Sequence, residues 1–338
     1  MNNRKTIFRN LLLVLLVSGG SIYLLFKDNL GDSLRALKNA NLFFVLISFF
    51  VMFCYFLVDA MILTKFSKLY NKNYKYSQGL RNSLSAAFFN GVTPFSSGGQ
   101  FAQVYVFNKQ KIKPCESSSI LLMGFIVYQT VLVAFSIVVI AFRFKAYRAL
   151  YSDVFLLTLV GFLVNFFVIV GLYLGASSSK FQKFISNVVI RLLAKVKIVK
   201  NFHDTKIRFE VQLNNFRTEV KHLKKNKRLL IVASIGNVLK LVFIYSIPFF
   251  AGLALNVPLG FSQLFEFIGI SSFIYMVTAF VPVPGASGGS EGIYFILFSP
   301  LLGGVLTPTT MLLWRIITYY LGLIFGGLVF AIDREING

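Results

Sequence analysis

The stretch PFSSGGQ at residues 94–100 returns 190 residues later as PGASGGS at 284–290. Both fit the pattern Pro-x-x-Ser-Gly-Gly, and each is followed by a tyrosine, Tyr105 or Tyr294. Paired glycines interrupt a helix and let another begin, and the first N–H groups of a helix have no partner inside it. Those donors, with the positive end of the helix dipole, attract phosphate or carboxylate. The chemistry predicted for Pro94, Ser97, Gly98, Gly99, Pro284, Ser287, Gly288 and Gly289 is therefore anion binding at two helix starts. The same glycines would also serve where helices pack closely.

Ionisable residues inside apolar sequence add to this. Glu291 lies two residues past the second glycine pair, and Arg315 and Tyr319 lie in the last apolar run. Arg315 is roughly 9 Å into that run at ~1.5 Å per residue. Charges in hydrocarbon are costly unless paired or wetted, so Glu291 and Arg315 are expected to form an ion pair that either locks the second turn or holds a lipid phosphate. Lys240, with Asn237 on the same side of its helix, is expected to pair with Glu266 or Glu291 or to line a polar path. Asp59 is expected to pair locally with Lys65. Gln100 and Gln103 stand in the first copy where Glu291 stands in the second, so the two copies differ in charge.

The elements that must position these residues follow from composition. Of 338 residues 56% are hydrophobic and only 14% charged, against roughly 25% charged in a soluble domain. That argues against a water-soluble enzyme. Apolar runs long enough to cross a hydrocarbon core, about 20 residues, predict full spans at 7–26, 42–64, 118–142, 154–174, 229–250 and 309–332. The first resembles a signal peptide in charge, but its apolar stretch is long and no small-residue cleavage site follows. Cys54 and Cys115 make no disulfide framework.

The net charge of +22 would suggest nucleic acid in a soluble chain. Here it reads as basic loops on the cytoplasmic side, facing anionic lipid. With the N-terminus inside, 26 lysines and arginines fall on the inner side and six on the outer. The C-terminus is then also cytoplasmic. Under this orientation residues 82–107 must enter and leave from the cytoplasm, and 261–302 from outside. Each is predicted to be a re-entrant helical hairpin with its tip at a glycine pair. The fold class expected is an all-α polytopic membrane protein, a single domain over 1–338, with about six full spans and two re-entrant hairpins in an inverted repeat.

Residues 180–228 carry apolar positions at helical spacing, such as Phe209, Leu213, Phe216, Val220 and Leu223. They predict basic amphipathic helices on the cytoplasmic surface, with docking of a partner as the sharper alternative. His203 and His222 fall there without acidic or cysteine neighbours, so no metal site is expected.

Three segments resemble a known group in order along the chain. TPFSSGGQFAQVY at 93–105, PVPGASGGSEG at 282–292 and WRIITYY at 314–320 are similar to motifs of the lysylphosphatidylglycerol synthase transmembrane family. That family includes the flippase domain of the multiple peptide resistance factor. In the first motif the family often carries Glu where Gln100 stands. The resemblance implies a bacterial cytoplasmic-membrane protein that moves aminoacylated phosphatidylglycerol to the outer leaflet and blunts cationic antimicrobial peptides. Fused members carry a soluble lysyltransferase domain. This chain stops at Gly338, just past the last span, so the phosphatidylglycerol lysyltransferase reaction is not expected of it alone.

The expected function is lipid flipping, with phospholipid head groups as the binding partners. The alternatives are a head-group transferase, for which Ser97, Ser287 and Glu291 are the only candidate groups, and a scaffold for a separate lipid-modifying synthase. A homo-oligomer is left open. No cofactor is expected, and no Gly-x-x-x-x-Gly-Lys-Ser/Thr loop is present for ATP.

Overall fold

A computed structural model describes residues 30–150, 152–178, 180–184, 186–188, 202–278 and 281–333. The predicted first span at 7–26 lies outside them, as does much of 180–201. The protein is all-α. Among the described residues the helices include α1 (Leu30–Lys38), α2 (Leu42–Ser67), α3 (Tyr76–Val92), α4 (Gly98–Lys109), α5 (Pro114–Leu150), α6 (Ser152–Ser177), α7 (Phe202–Lys225), α8 (Lys227–Ala254), α9 (Leu264–Thr278), α10 (Gly289–Leu302), α11 (Leu306–Arg315) and α12 (Leu321–Ile332). A π-helical turn, Ile316–Tyr320, joins α11 to α12.

Among the described residues five helices are long and apolar enough to cross a membrane, or six if a bent pair over 159–188 counts as one span. The five are Leu42–Ser67, Pro114–Val139, Lys227–Ala254, Phe261–Thr278 and Leu306–Ile332. α2 shows why these are membrane helices. Leu42, Phe43, Leu46, Phe50 and Phe53 are exposed although the helix is apolar on every side. A helix with no polar face needs lipid where protein does not cover it.

Loop contacts show how the helix ends are distributed. Tyr74, before α3, donates to Gln110, after α4, at 2.6 Å. Gln110 Nε2 in turn donates to the Gln78 carbonyl at 3.0 Å, so α3 and α4 start and finish together. Arg81 on α3 and Asp333 after α12 are 3.2 Å apart at that same end. At the other end, the Asn41 amide donates to the Ala254 carbonyl at 2.7 Å. A Cβ on Gly252 would lie 2.7 Å from Leu259 and 3.2 Å from Leu302, so the entry to α9 and the exit from α10 also share one end.

Two apolar cores fill the bundle. One joins α8, α9, α10 and α11 around Phe249, Phe267, Tyr294, Phe298 and Trp314. The other joins α2, α5 and α8 around Phe66, Met123, Leu241 and Tyr245. Tyr275 packs against both. Backbones approach closely where α12 lies along α3, for a Cβ on Gly326 would sit 2.2 Å from the Leu84 carbonyl oxygen. Because backbone cannot swing aside, Gly326→Leu is expected to part these helices and cost about 1–3 kcal/mol or more. The loss would be read as a lower midpoint of heat-induced aggregation in detergent.

Candidate functional site

The repeated sequence is also a repeated backbone. Phe95 and Gly285 hold nearly the same left-handed conformation, φ 55°, ψ 18° and φ 61°, ψ 16°. Ser96 and Ala286 follow at φ 50° and 51°. In each copy the serine hydroxyl donates back to the proline carbonyl, Ser97 to Pro94 at 2.9 Å and Ser287 to Pro284 at 3.0 Å. Proline fixes φ for the first turn residue, and the serine closes the turn. The copies part company at the serine, where ψ is −18° at Ser97 and 140° at Ser287, and with Gly288 at φ 84° α10 starts one residue later than α4 does in the first copy.

The two turns, Pro94–Ser96 and Pro284–Ala286, pack against one another. Tyr319 clamps them, its hydroxyl donating to the Gly91 carbonyl at 3.0 Å while its ring lies over Gly285.

Three of the four predicted N–H donors at the glycine pairs are already in use. Gly98 N donates to Thr93 Oγ1 at 2.8 Å and Gly99 N to Asn90 Oδ1 at 2.9 Å. Cβ atoms on Gly98 and Gly99 would collide with those capping side chains at 2.5 and 2.2 Å. In the second copy Gly288 N donates to Glu291 Oε2 at 2.9 Å. The expectation of free donors is corrected at Gly98, Gly99 and Gly288. Asn90 and Thr93 were missed, although Asn and Thr are ordinary helix caps and stand just before the turn.

Glu291 and Arg315 form the buried pair. Arg315 Nε donates to Glu291 Oε1 at 2.8 Å, and the carboxylate is only 1% exposed. Arg315 Nη2 donates to the Gly285 carbonyl at 3.1 Å and to Ser290 Oγ. Ser290 Oγ lies 2.7 Å from Glu291 Oε2. The guanidinium rests 5.3 Å from the Trp314 ring and 5.0 Å from that of Tyr319. A guanidinium has five donors. Among the described residues none accepts from Nη1.

Lys240 is corrected. It pairs with neither Glu266 nor Glu291 but with Asp59, whose other oxygen accepts from Ser83 on α3. The Asp59–Lys65 pairing is overturned with it. Six residues along a helix is about 240° of rotation, so the two side chains leave α2 on different faces. Asn237 does not share the Lys240 pair. Its amide donates to the Ala233 carbonyl of its own helix at 2.9 Å.

The remaining predicted residues spread out. Gln100 and Pro94 are exposed, and Gln103 is half-buried with its carbonyl accepting from Asn82 at 3.4 Å. Tyr105 is exposed beside Phe330, whereas Tyr294 is fully buried, stacked on Trp314 at 4.8 Å. The repeat is thus alike in its turns and different in the helices beyond them.

α7 docks beside the bundle. Tyr70 donates to Glu219 at 2.5 Å, next to a cavity of ≈ 480 Å³ lined also by Leu69, Met123, Lys225 and Asn226. Burial, and then the bond to Glu219, push the Tyr70 hydroxyl above its ordinary range. The side chains of Phe209, Leu213, Phe216 and Leu223 lie outside the described residues, as do those of His203 and His222.

Comparison with known proteins places this geometry. The family described as lysylphosphatidylglycerol synthase TM region matches residues 11–326. The chain belongs to that family. It is also similar to a UPF0104 membrane protein of Archaeoglobus fulgidus, 23% identical over 305 residues that cover 86% of this chain and 87% of the relative. The family match spans both glycine turns, Glu291, Arg315 and the Asp59–Lys240 pair, so all belong to the family's membrane region in this chain.

Proposed function

We propose that this protein is a lipid flippase that moves (aminoacyl-)phosphatidylglycerol or a related polar lipid between leaflets of a bacterial cytoplasmic membrane. The observation that carries the reading is the meeting of the two Pro-x-x-Ser turns beside a buried acid and base. Irregular backbone at membrane depth is tolerated only in protein or beside a wet cavity. Broken helices meeting at the midplane are a transporter's substrate site.

In this reading α3 with α4, and α9 with α10, are the two re-entrant hairpins, inserted from opposite faces, with both chain termini cytoplasmic. The grouping of their ends on opposite sides of the bundle supports it. Glu291 then stands in for the ligand. Its carboxylate fills the anion seat made by the Gly288 amide, Ser290 and Arg315, standing where a lipid phosphate would bind. A phosphate oxygen first meets Arg315 Nη1 and then competes with Glu291 for the rest of the guanidinium. Acyl chains stay in the bilayer while the hairpins rock about the paired turns. Movement of aminoacylated lipid to the outer leaflet lowers negative surface charge and so weakens attack by cationic peptides. A separate lipid-modifying synthase would supply the substrate.

The test is reconstitution into vesicles of phosphatidylglycerol with a fluorescent head-group-labelled lipid, read by chemical quenching of the outer leaflet. Arg315→Lys and Glu291→Gln are expected to slow flipping at least tenfold while remaining monodisperse in detergent, since loss of about 1.4 kcal/mol of binding is a factor of ten. Flipping at the wild-type rate by both variants overturns the site.

A further inference from the structure

The second buried ion pair is harder to explain as architecture. Lys240 sits halfway along α8, roughly 18 Å from Arg228 at ~1.5 Å per residue, and is buried. A buried pair adds little stability over apolar residues of the same size. Its surroundings are those of a binding site. The ammonium lies over two tyrosine faces, 5.2 Å from the Tyr55 ring centre and 5.5 Å from that of Tyr128. Asp59 closes the third side. Aromatic faces plus a carboxylate are how proteins recognise ammonium ligands.

Access is uneven. The Asp59 side chain is 28% exposed and that of Lys240 only 10%. The carboxylate is thus the more open member of the pair. Ser83, which donates to the other Asp59 oxygen, belongs to α3, the arm that leads to the first glycine turn. A chain of aromatic rings on α8, α9 and α11 leads to the other site. Tyr245 lies 5.2 Å from Tyr275, which lies 6.4 Å from Trp314 beside Arg315.

We propose that Asp59, Tyr55 and Tyr128 form an ammonium seat which Lys240 occupies as a built-in ligand, and which the primary ammonium of a lipid head group takes over. Lys240 and Glu291 are then matching internal occupants, a cation in the cation seat and an anion in the anion seat. This rests on the lipid-transport reading for its substrate, but the seat itself does not.

Two arms of one experiment separate them. In detergent, Lys240→Ala empties the seat, and millimolar methylammonium is expected to raise its melting temperature by several degrees while leaving wild type and Asp59→Asn/Lys240→Met unmoved. In vesicles, wild type is expected to flip labelled phosphatidylethanolamine faster than its N-acetylated form, and the charge-free double variant to lose that ratio by about tenfold. Should Lys240→Ala not fold, the double variant, with no orphaned charge, still decides through the ratio. No methylammonium effect in a folded Lys240→Ala, or an unchanged ratio in the double variant, overturns the seat. If wild type flips neither lipid, the transport reading falls and the methylammonium arm alone judges the seat.

Discussion

Arg315→Ala is expected to cost about 3–5 kcal/mol, the usual penalty for stripping one partner from a buried pair. Native stabilities are about 5–15 kcal/mol, so most of the margin would go. The reason is the orphaned carboxylate. Glu291 is 1% exposed and has no other cation beside it among the described residues. It keeps only the Gly288 amide and Ser290. Arg315→Lys should lose less, since an ammonium keeps the charge but cannot reach Glu291, Ser290 and the Gly285 carbonyl as a planar fork. Arg315→Met combined with Glu291→Gln should recover much of the stability of wild type and none of its flipping. Heating in detergent followed by size exclusion measures the first, and vesicle quenching the second. A thermally unchanged Arg315→Ala would show that the pair is wetter than its burial implies.

Gly285→Val should be nearly as damaging, for a different reason. The position is left-handed at φ 61°, and a Cβ there would lie 2.4 Å from the Tyr319 ring. A branched residue in that region is a steric outlier costing about 1–3 kcal/mol, and overpacking adds about 1–3 kcal/mol. Tyr319 cannot yield freely, since its hydroxyl holds Gly91 across the two turns. A milder Gly285→Ala should show coupling with Tyr319→Ala. Once the ring is gone the methyl group has room, so the double variant should be more stable than the sum of the single effects by at least about 0.5 kcal/mol. Strict additivity in melting measurements would mean that Tyr319 does not fasten the turns.

The sequence made much of this visible because the relevant signals are local. Apolar run length marks the spans, and proline followed by Ser-Gly-Gly marks both turns. Glu291 and Arg315 stand out as charges in apolar sequence, and with one acid and one base near each other the pairing is legible. What stayed hidden depends on rotation about helix axes. α2 and α8 are apolar all round, so no periodicity says which way Asp59 or Lys240 points. They are 181 residues apart, and nothing in their spacing joins them. Tyr55 and Tyr128 read as ordinary interior aromatics until the bundle brings them to one ammonium. The capping by Asn90 and Thr93 was hidden for another reason. Gly98 and Gly99 look like donors left open, and only the fold shows side chains from the preceding turn in the space that glycine leaves.

The wide turn at Ile316–Tyr320 begins at the residue after Arg315, where the Leu321 amide reaches back five residues to the Ile316 carbonyl. Such a turn holds one residue more than a regular coil. Expelling that surplus would swing the segment ahead of it by about 100° and slide it about 1.5 Å. The guanidinium would then face away from its carboxylate without any helix having to unwind, so the screw that aims the arginine is cut into its own backbone.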